Sequence, residues 1–300
     1  MRKLRDFCLK RHIAVLWDVP MSDYTSFRIG GRADALLFPD TETELVSLLL
    51  FLRAETIPFR VIGNATNLLV SDDGYRGALI MTKHIRSVSV SGRTARASCG
   101  TPINVLCRTL ADFSLGGIEE LYGIPGTLGG AVFMNAGAFG RTIADRLSFV
   151  SALHIPDGKT MVFSKEECFF SYRSSFFAKN RDYVIMSADF SLTPGRCGAI
   201  RDTMKTVLEE RMQKQPTALP NAGSVFLKPD GHYAARLIED AGLVGARIGG
   251  AAVSVKHAGF IVNLGGATAK DVLDLINHIK ETVQNIFGIE LETEIEYIDQ

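Results

Sequence analysis

The sequence has no net charge, no long apolar run and no paired-cysteine motif. Its 33 basic residues are balanced by 33 acidic ones, which is not the charge balance of a protein that binds nucleic acid or an acidic membrane. The longest apolar run, 45–52, is far shorter than a membrane span, and the basic N-terminus lacks the apolar core of a signal peptide. We therefore expect a cytoplasmic protein with no nucleic-acid partner and no membrane association. No feature indicates an obligate protein partner.

Metal and disulfide chemistry are also poorly supported. The five cysteines are odd in number and include no C-x-x-C pair, and the six histidines form no H-x-x-x-H or H-E-x-x-H motif. No G-x-G-x-x-G follows a strand and opens a helix, so the usual dinucleotide-binding fold is not indicated. We expect no bound metal, reduced cysteines, and structural rather than catalytic roles for the isolated histidines.

Glycine, by contrast, is concentrated at 118–140, in the sequence IEELYGIPGTLGGAVFMNAGAFG. Glycine at this density costs conformational entropy, so a folded chain tolerates it where the backbone must approach something closely. Apolar residues between the glycines would anchor the loop, and its free N–H groups could line a concavity for phosphate. The pattern predicts a site for a pyrophosphate-bearing cofactor, with a plain glycine-rich turn as the simpler interpretation. A second loop, 61–70 (VIGNATNLLV), predicts a strand, a turn and a strand.

A length of 300 residues suits two domains. In the first half, Thr41 is expected to cap a helix that ends before Pro58. Asp157-Gly158 is expected to turn a hairpin of strands at 147–155 and 160–163. A helix over about 199–214 follows the break at Pro194-Gly195, and we place the domain boundary at its start.

Near the C-terminus the pattern predicts one long helix and a last strand. The helix begins after its cap Thr268, ends at Gly288, and places on one face the apolar residues Val272, Leu275, Ile276, Ile279, Val283 and Ile286. The strand covers 291–298, where alternate residues share a face: Glu290, Glu292, Glu294 and Glu296. Such a face is normally solvated, but it would carry chemistry if it lined a cleft.

Two further groups of side chains could carry chemistry. Arg173 lies next to Tyr172 and could hold a carboxylate through two parallel hydrogen bonds, or it could be an ordinary stacked arginine. Ser224 follows Gly223 and precedes apolar residues, which suits either an exposed hydroxyl or a simple turn.

Five motifs occur in order: 63–70 (GNATNLLV), 123–131 (GIPGTLGGA), 135–138 (NAGA), 172–175 (YRSS) and 223–226 (GSVF). Together with 254–263 (SVKHAGFIVN) and 291–294 (LETE), they resemble the UDP-N-acetylenolpyruvoylglucosamine reductases of bacterial peptidoglycan synthesis. The resemblance runs from about Thr25 to the C-terminus.

The resemblance implies an α+β fold. A two-lobed FAD-binding domain of the vanillyl-alcohol oxidase (PCMH) type would occupy 1–198, with lobes of about 1–85 and 86–198, and a smaller α/β substrate-binding domain would occupy 199–300. It implies non-covalent FAD, because neither glycine loop contains a histidine or cysteine that could tether the flavin. The matching FAD contacts are Gly63, Asn64, Ala65, Thr66, Asn67, Leu68, Pro125, Gly126, Gly130, Asn135, Gly137 and Ala138.

The implied reaction has two steps: NADPH reduces FAD, and UDP-N-acetylglucosamine enolpyruvate then takes the hydride and becomes UDP-N-acetylmuramate. The positions that match the family's catalytic residues are Arg173, Ser224 and Glu294. Positions that match substrate contacts are Tyr172, Arg211, Lys214 and Lys228. Since 172–224 is short, the subclass that lacks a tyrosine-loop insertion is expected.

Departures from the family pattern affect contacts to UDP or substrate near residue 228 and the local charge near residue 296. Leu227-Lys228 replaces the usual lysine and asparagine, and Glu296 replaces an arginine. Two alternatives stay open at this point: an FAD-dependent alcohol or sugar oxidase with the same flavin fold, and a non-enzymatic flavin or nucleotide-sugar binding module.

Overall fold

The protein has an α+β fold in the structure, a computed structural model that describes residues 1–299. The helices are α1 (Arg2–Arg11), α2 (Glu42–Ala54), α3 (Ile103–Asp112), α4 (Leu128–Phe133), α5 (Phe176–Lys179), α6 (Cys197–Lys214), α7 (Ala234–Asp240) and α8 (Ala269–Phe287). Strands before the glycine stretch are β1 (Ala14–Pro20), β2 (Arg32–Phe38), β3 (Phe59–Ile62), β4 (Leu68–Val70), β5 (Tyr75–Met81), β6 (Val88–Ser91), β7 (Thr94–Ser98) and β8 (Leu115–Gly116). Later strands are β9 (Gly137–Ala138), β10 (Arg141–Thr142), β11 (Leu147–His154), β12 (Lys159–Ser164), β13 (Tyr183–Ser191), β14 (Thr193–Pro194), β15 (Asn221–Ser224), β16 (Arg247–Ile248), β17 (Ala251–Val253), β18 (Phe260–Asn263) and β19 (Glu296–Ile298).

The chain forms two compact units, each built from separate segments. The first unit contains Met1–Trp17, Ala35–Asn64 and Gly77–Glu209. The second contains Asp18–Asp34, Ala65–Arg76 and the chain from Glu210 onward. The chain therefore passes from one unit to the other within β1, β2, β5 and α6, and in the loop between β3 and β4.

The first unit is organised by an antiparallel sheet of order β12-β11-β13-β7-β6. The hairpin prediction is confirmed: β11 pairs with β12 up to His154↔Lys159. Asp157 Oδ1 accepts the Lys159 N–H, and Gly158 supplies a left-handed φ of 69°. The helix predicted after Thr41 is also confirmed, since the Thr41 side chain accepts the Glu44 N–H. Apolar residues of α2, α3 and the sheet form one buried cluster.

The second unit contains a sheet of order β15-β18-β17-β16, against which α8 packs. Thr268 and Asp271 form a capping box at the start of α8, and Gly288 ends it at φ 69°. Five of the six predicted apolar positions of α8 are buried. The sixth, Ile286, is 55% exposed, so the buried face of α8 does not include it.

The last strand is shorter than predicted. Only Glu296–Ile298 is a strand, paired in parallel with Leu68–Val70. The residues before this strand pair with a different segment, 225–227. The Leu227 N–H donates to Glu292 O, and the Glu294 N–H donates to Val225 O. The prediction of a single strand over 291–298 is therefore wrong, since Glu290, Glu292 and Glu294 all precede the strand. Across residues 1–299, no helix has the length and apolar character needed to cross a membrane.

Candidate functional site

The glycine stretch in the first unit is less open than the sequence suggests. Its centre forms the short helix α4, whose N-cap is Thr127. The Leu128 N–H donates to Thr101 O at 2.8 Å, and the Gly129 N–H donates to Cys99 O at 2.7 Å. These two N–H groups already donate hydrogen bonds within the protein and cannot bind a phosphate. The prediction of a phosphate-binding concavity is therefore wrong for residues 128 and 129.

Close backbone approach is found instead where the two glycine loops meet within the first unit. Asn64 Nδ2 donates to Pro125 O at 2.9 Å. A Cβ added at Gly63 would lie 2.3 Å from Thr127 Oγ1, closer than any real side chain could be placed. Thr127 Oγ1 is buried and has no hydrogen-bond partner among the described residues. The glycine at 63 is thus required by the neighbouring loop.

Arg173 is held by the end of the same glycine stretch. Arg173 has a left-handed φ of 52°, which is rare for a residue other than glycine, and it lies in the tight turn closed by Ser171 and Ser174. Asn135 Nδ2 donates to Ser171 O at 2.8 Å, and Arg173 Nη2 donates to Gly137 O at 3.0 Å. Asn135 itself is buried with φ 45°, and its Oδ1 has no described partner. The sequence-predicted residues Asn135, Gly137 and Arg173 are therefore brought together.

In the second unit, main-chain hydrogen bonds place Ser224 and Glu294 on neighbouring segments. The Glu294 N–H donates to the carbonyl of Val225, the residue after Ser224, at 2.7 Å. The Glu294 carbonyl accepts from Asn67 Nδ2 at 3.1 Å. Both side chains are half-buried, and Ser224 Oγ donates to Phe226 O at 3.3 Å. The backbone of Glu294 is thus held on both sides.

The remaining residues of the first glycine loop lie in the second unit and show what the loop needs locally. Ala65 is buried at φ 49°, and its carbonyl accepts the Ser26 N–H. The Asn67 carbonyl accepts the Glu296 N–H, and Leu68 begins the strand that pairs with β19. Thr66 is half-buried between them. The predicted strand, turn and strand are confirmed.

The four predicted substrate contacts differ in environment. Arg211 is half-buried, and burial lowers the pKa of its guanidinium. Lys214 is exposed and pairs with Glu210 at 2.8 Å. Lys228 Nζ lies 4.5 Å from the centre of the Tyr233 ring, and the Arg173 guanidinium lies 5.4 Å from the ring of the exposed Tyr172. Arg211 is the cation of this set that burial equips best for an anionic ligand, because a buried charge requires compensation.

The chain is similar to known proteins over most of its length. Residues 33–164 match a family model described as an FAD binding domain, and residues 215–298 match one described as the C-terminal domain of UDP-N-acetylenolpyruvoylglucosamine reductase. A UDP-N-acetylenolpyruvoylglucosamine reductase of Caldanaerobacter subterraneus subsp. tengcongensis is 43% identical over 281 residues, 94% of this chain and 92% of that protein. The chain belongs to the UDP-N-acetylenolpyruvoylglucosamine reductase family.

Two more members of the family agree over nearly the whole chain. The protein of that name from Exiguobacterium sibiricum is 42% identical over 287 residues, covering 96% of this chain and 94% of its own length. The crystal structure of the Thermus caldophilus reductase superimposes with a TM-score of 0.80 at 35% identity, over 96% of this chain and 99% of that one. The predicted resemblance and the α+β fold with an FAD-binding domain are confirmed.

The residues of this reductase family member fit FAD. Two buried oxygens beside the glycine loops, Thr127 Oγ1 and Asn135 Oδ1, have no hydrogen-bond partner in the described protein. Buried polar atoms are rarely left without a partner, so these call for a ligand or an ordered water. Asn135 was predicted from the sequence. Thr127 was missed, although a threonine between the glycines of GIPGTLGG was a usable signal.

Proposed function

We propose that this chain catalyses the NADPH-dependent reduction of UDP-N-acetylglucosamine enolpyruvate to UDP-N-acetylmuramate, a step of peptidoglycan precursor synthesis. The single observation that carries the proposal is the hydrogen bond from the Glu294 N–H to Val225 O, which pairs the backbone of Glu294 with the residue that follows Ser224. A proton donor and a carboxyl group carried by paired segments suit addition to a polarised double bond. They have no evident use in a module that only binds its ligand.

FAD, when bound, supplies the hydride chemistry that links oxidation of NADPH to reduction of the enolpyruvyl double bond. The residues that would hold it are Gly63, Asn64, Ala65, Thr66, Asn67 and Leu68 of the first glycine loop and Pro125, Gly126, Gly130, Asn135, Gly137 and Ala138 of the second. Thr127, with its unsatisfied hydroxyl oxygen, joins them. The contact between Asn64 and Pro125 supports a common role for the two loops.

Arg173 would stabilise the charge that develops on the substrate carboxylate. Addition of hydride to C3 of the enolpyruvyl group pushes electrons towards that carboxylate, and a preorganised cation lowers the energy of the resulting enolate. The hydrogen bond from Arg173 Nη2 to Gly137 O and the fixed turn at 171–174 support this role, since they restrict the guanidinium before substrate arrives.

Ser224 would complete the addition by giving its hydroxyl proton to C2, after which the seryl oxygen takes a proton from water. A hydroxyl is a weak acid, so it can act in this way only towards a strongly basic enolic carbon. Glu294 can assist only in its protonated form, because a bare carboxylate would repel the developing negative charge.

Arg211, Lys214, Lys228 and Tyr172 would contact the sugar nucleotide. Residues 1–198 would bind FAD as two lobes, about 1–85 and 86–198, and residues 199–300 would bind substrate.

The chain would belong to the subclass without a tyrosine loop, in keeping with the short segment between Arg173 and Ser224, which contains α5, β13, β14 and α6. The reaction would take place in the cytoplasm, in keeping with the free thiols of Cys8, Cys99, Cys107, Cys168 and Cys197.

The function is tested by following flavin absorbance anaerobically in a stopped-flow instrument. NADPH should bleach the bound flavin, and the enolpyruvyl sugar nucleotide should restore its colour. Ser224→Ala should leave the first reaction unchanged and slow the second at least about 100-fold, whereas Ser22→Ala, in the same unit, should change neither. A flavin that NADPH does not bleach would refute the function. Equal reoxidation rates for Ser224→Ala and the native protein would refute the role of Ser224.

A further inference from the structure

We propose that His257 is a positioning residue for Ser224 and Glu294, and that it holds them in place only while its imidazole is neutral. The inference rests on the proposed function and extends it. It assigns a role to a histidine that the sequence analysis treats as merely structural, and it predicts how the second half-reaction depends on pH.

A continuous set of hydrogen bonds connects the imidazole to the main chain that carries Ser224 and Glu294. His257 Nδ1 accepts the Gly259 N–H at 3.1 Å. The Gly259 carbonyl accepts the Val225 N–H at 2.8 Å, and the Val225 carbonyl accepts the Glu294 N–H at 2.7 Å. The Val225 peptide thus lies between the Gly259 peptide and Glu294, and Ser224 immediately precedes it. A displacement of the Gly259 peptide would move both proposed reacting groups.

The imidazole and the seryl hydroxyl also pack against the same point of the backbone. A Cβ added at Gly259 would lie 3.0 Å from His257 Cε1, 3.2 Å from His257 Nδ1 and 3.4 Å from Ser224 Oγ. Ser254 Oγ accepts the His257 N–H and the Phe260 N–H donates to His257 O, so the turn that carries the ring is itself fixed.

The protonation state decides whether this connection exists. Nδ1 accepts a hydrogen bond, so the neutral ring carries its proton on Nε2. Protonation at Nδ1 would set two donors against each other and break the contact with Gly259. Burial lowers the pKa of His257, and a hydrogen bond to its own backbone and the charge of Glu239 of α7 oppose this shift without reversing it. Of the other groups around the ring, Lys256 directs its ammonium to Met212 O, and Ser224, Ser254 and Phe260 carry no charge.

The sign of the pH effect follows. The connection is intact above the pKa of His257 and is lost as pH falls through that value, which lies below the ordinary histidine value of about 6.5. Reoxidation of the flavin by substrate should therefore slow at acidic pH, while reduction by NADPH, which needs neither Ser224 nor Glu294, should not follow the same curve.

Two substitutions separate positioning from packing. In His257→Asn the amide oxygen can accept the N–H two residues on, as in an Asx turn, but it cannot titrate. We expect reoxidation within about threefold of the native rate at neutral pH and loss of the acid limb. In His257→Leu the bulk is kept and the acceptor is lost, and we expect reoxidation to slow about tenfold or more with reduction by NADPH unchanged. His278→Asn, at an exposed histidine of α8, is the matched control.

Nitrogen NMR of histidine-labelled holoenzyme gives a readout independent of turnover. Nδ1 of His257 should show the shift of an unprotonated acceptor at neutral pH, and the Gly259 and Val225 amide signals should follow the titration of the ring. If His257→Leu reoxidises normally while His257→Asn is slow, the ring acts by packing and the inference is wrong. It is equally wrong if the acid limb persists in His257→Asn. Both outcomes require a native enzyme that completes both half-reactions, so they are distinct from failure of the proposed function.

Discussion

Replacement of Gly63 by alanine tests whether the glycine loops of the first unit need a backbone approach that no side chain permits. The new Cβ would lie 2.3 Å from Thr127 Oγ1, where ordinary contacts begin at 3.4 Å. Either the Thr127 side chain must turn or the loops must separate by about 1 Å, and overpacking of this kind costs about 1–3 kcal/mol.

We expect that cost to appear mainly in FAD binding, because the displaced atoms are those that would contact the cofactor. Since about 1.4 kcal/mol corresponds to a tenfold change in affinity, the Kd for FAD should rise about 5- to 150-fold. Quenching of flavin fluorescence on titration with apoprotein measures the Kd, and a thermal melt of the same apoprotein measures how much of the cost falls on folding instead.

Thr127 supplies a pair of controls. Thr127→Ala removes the oxygen that the new methyl would strike, whereas Thr127→Val keeps an atom in its place. Both lack the hydroxyl, so a difference between Gly63→Ala/Thr127→Ala and Gly63→Ala/Thr127→Val isolates the steric effect. The first double variant should bind FAD no worse than Thr127→Ala alone, and the second should keep the full defect. Equal affinities for the two double variants, or a native Kd for Gly63→Ala, would refute the reasoning.

Two further predictions concern the second unit. Arg211→Gln should raise the KM for the sugar nucleotide about tenfold, because a half-buried cation pairs strongly with an anion. Lys214→Gln, which removes an exposed side chain, should change this KM less than about threefold. Equal effects of the two substitutions in steady-state assays at saturating NADPH would contradict this prediction. Asp271→Asn should lower the free energy of unfolding at neutral pH by about 1 kcal/mol, because the carboxylate accepts the N–H groups of Thr268 and Gly250. These bonds also lower the pKa of Asp271, so its contribution is present above the unfolded value of about 3.9 and is lost as pH falls below it. Urea unfolding should therefore show a smaller difference between native and variant near pH 3 than at pH 7, and an unchanged difference would contradict the assignment.

The parts of the fold that the sequence predicted well depend on local chemistry. The caps Thr41 and Thr268, the stop at Gly288 and the hairpin turn at Asp157-Gly158 lie within a few residues of the hydrogen bonds they make. A capping side chain or a left-handed glycine acts in the same way in most folds, which is why such signals could be read without a structure.

The candidate site, like the fold, could be predicted only in part from the sequence. The ordered motifs were enough to name the family and to select Arg173, Ser224 and Glu294. They were not enough to place Glu294, whose segment was predicted as one strand. Its N–H bonds to Val225 and the Glu296 N–H bonds to Asn67, and nothing near residue 294 in the sequence indicates a change of partner between them.

By itself the sequence determined the α+β class, the family and the cofactor class, and it suggested the side chains proposed to react, because these depend on which residues occur and in what order. Only the tertiary structure decided that Gly63 faces Thr127, that Arg173 is held by Gly137, and that His257 is connected to Glu294 through Gly259 and Val225. Those relations join residues about 35–65 positions apart. They depend on how strands pair and loops meet after the core has formed, and the free energy that selects such pairings comes from burial across the whole unit rather than from any local pattern.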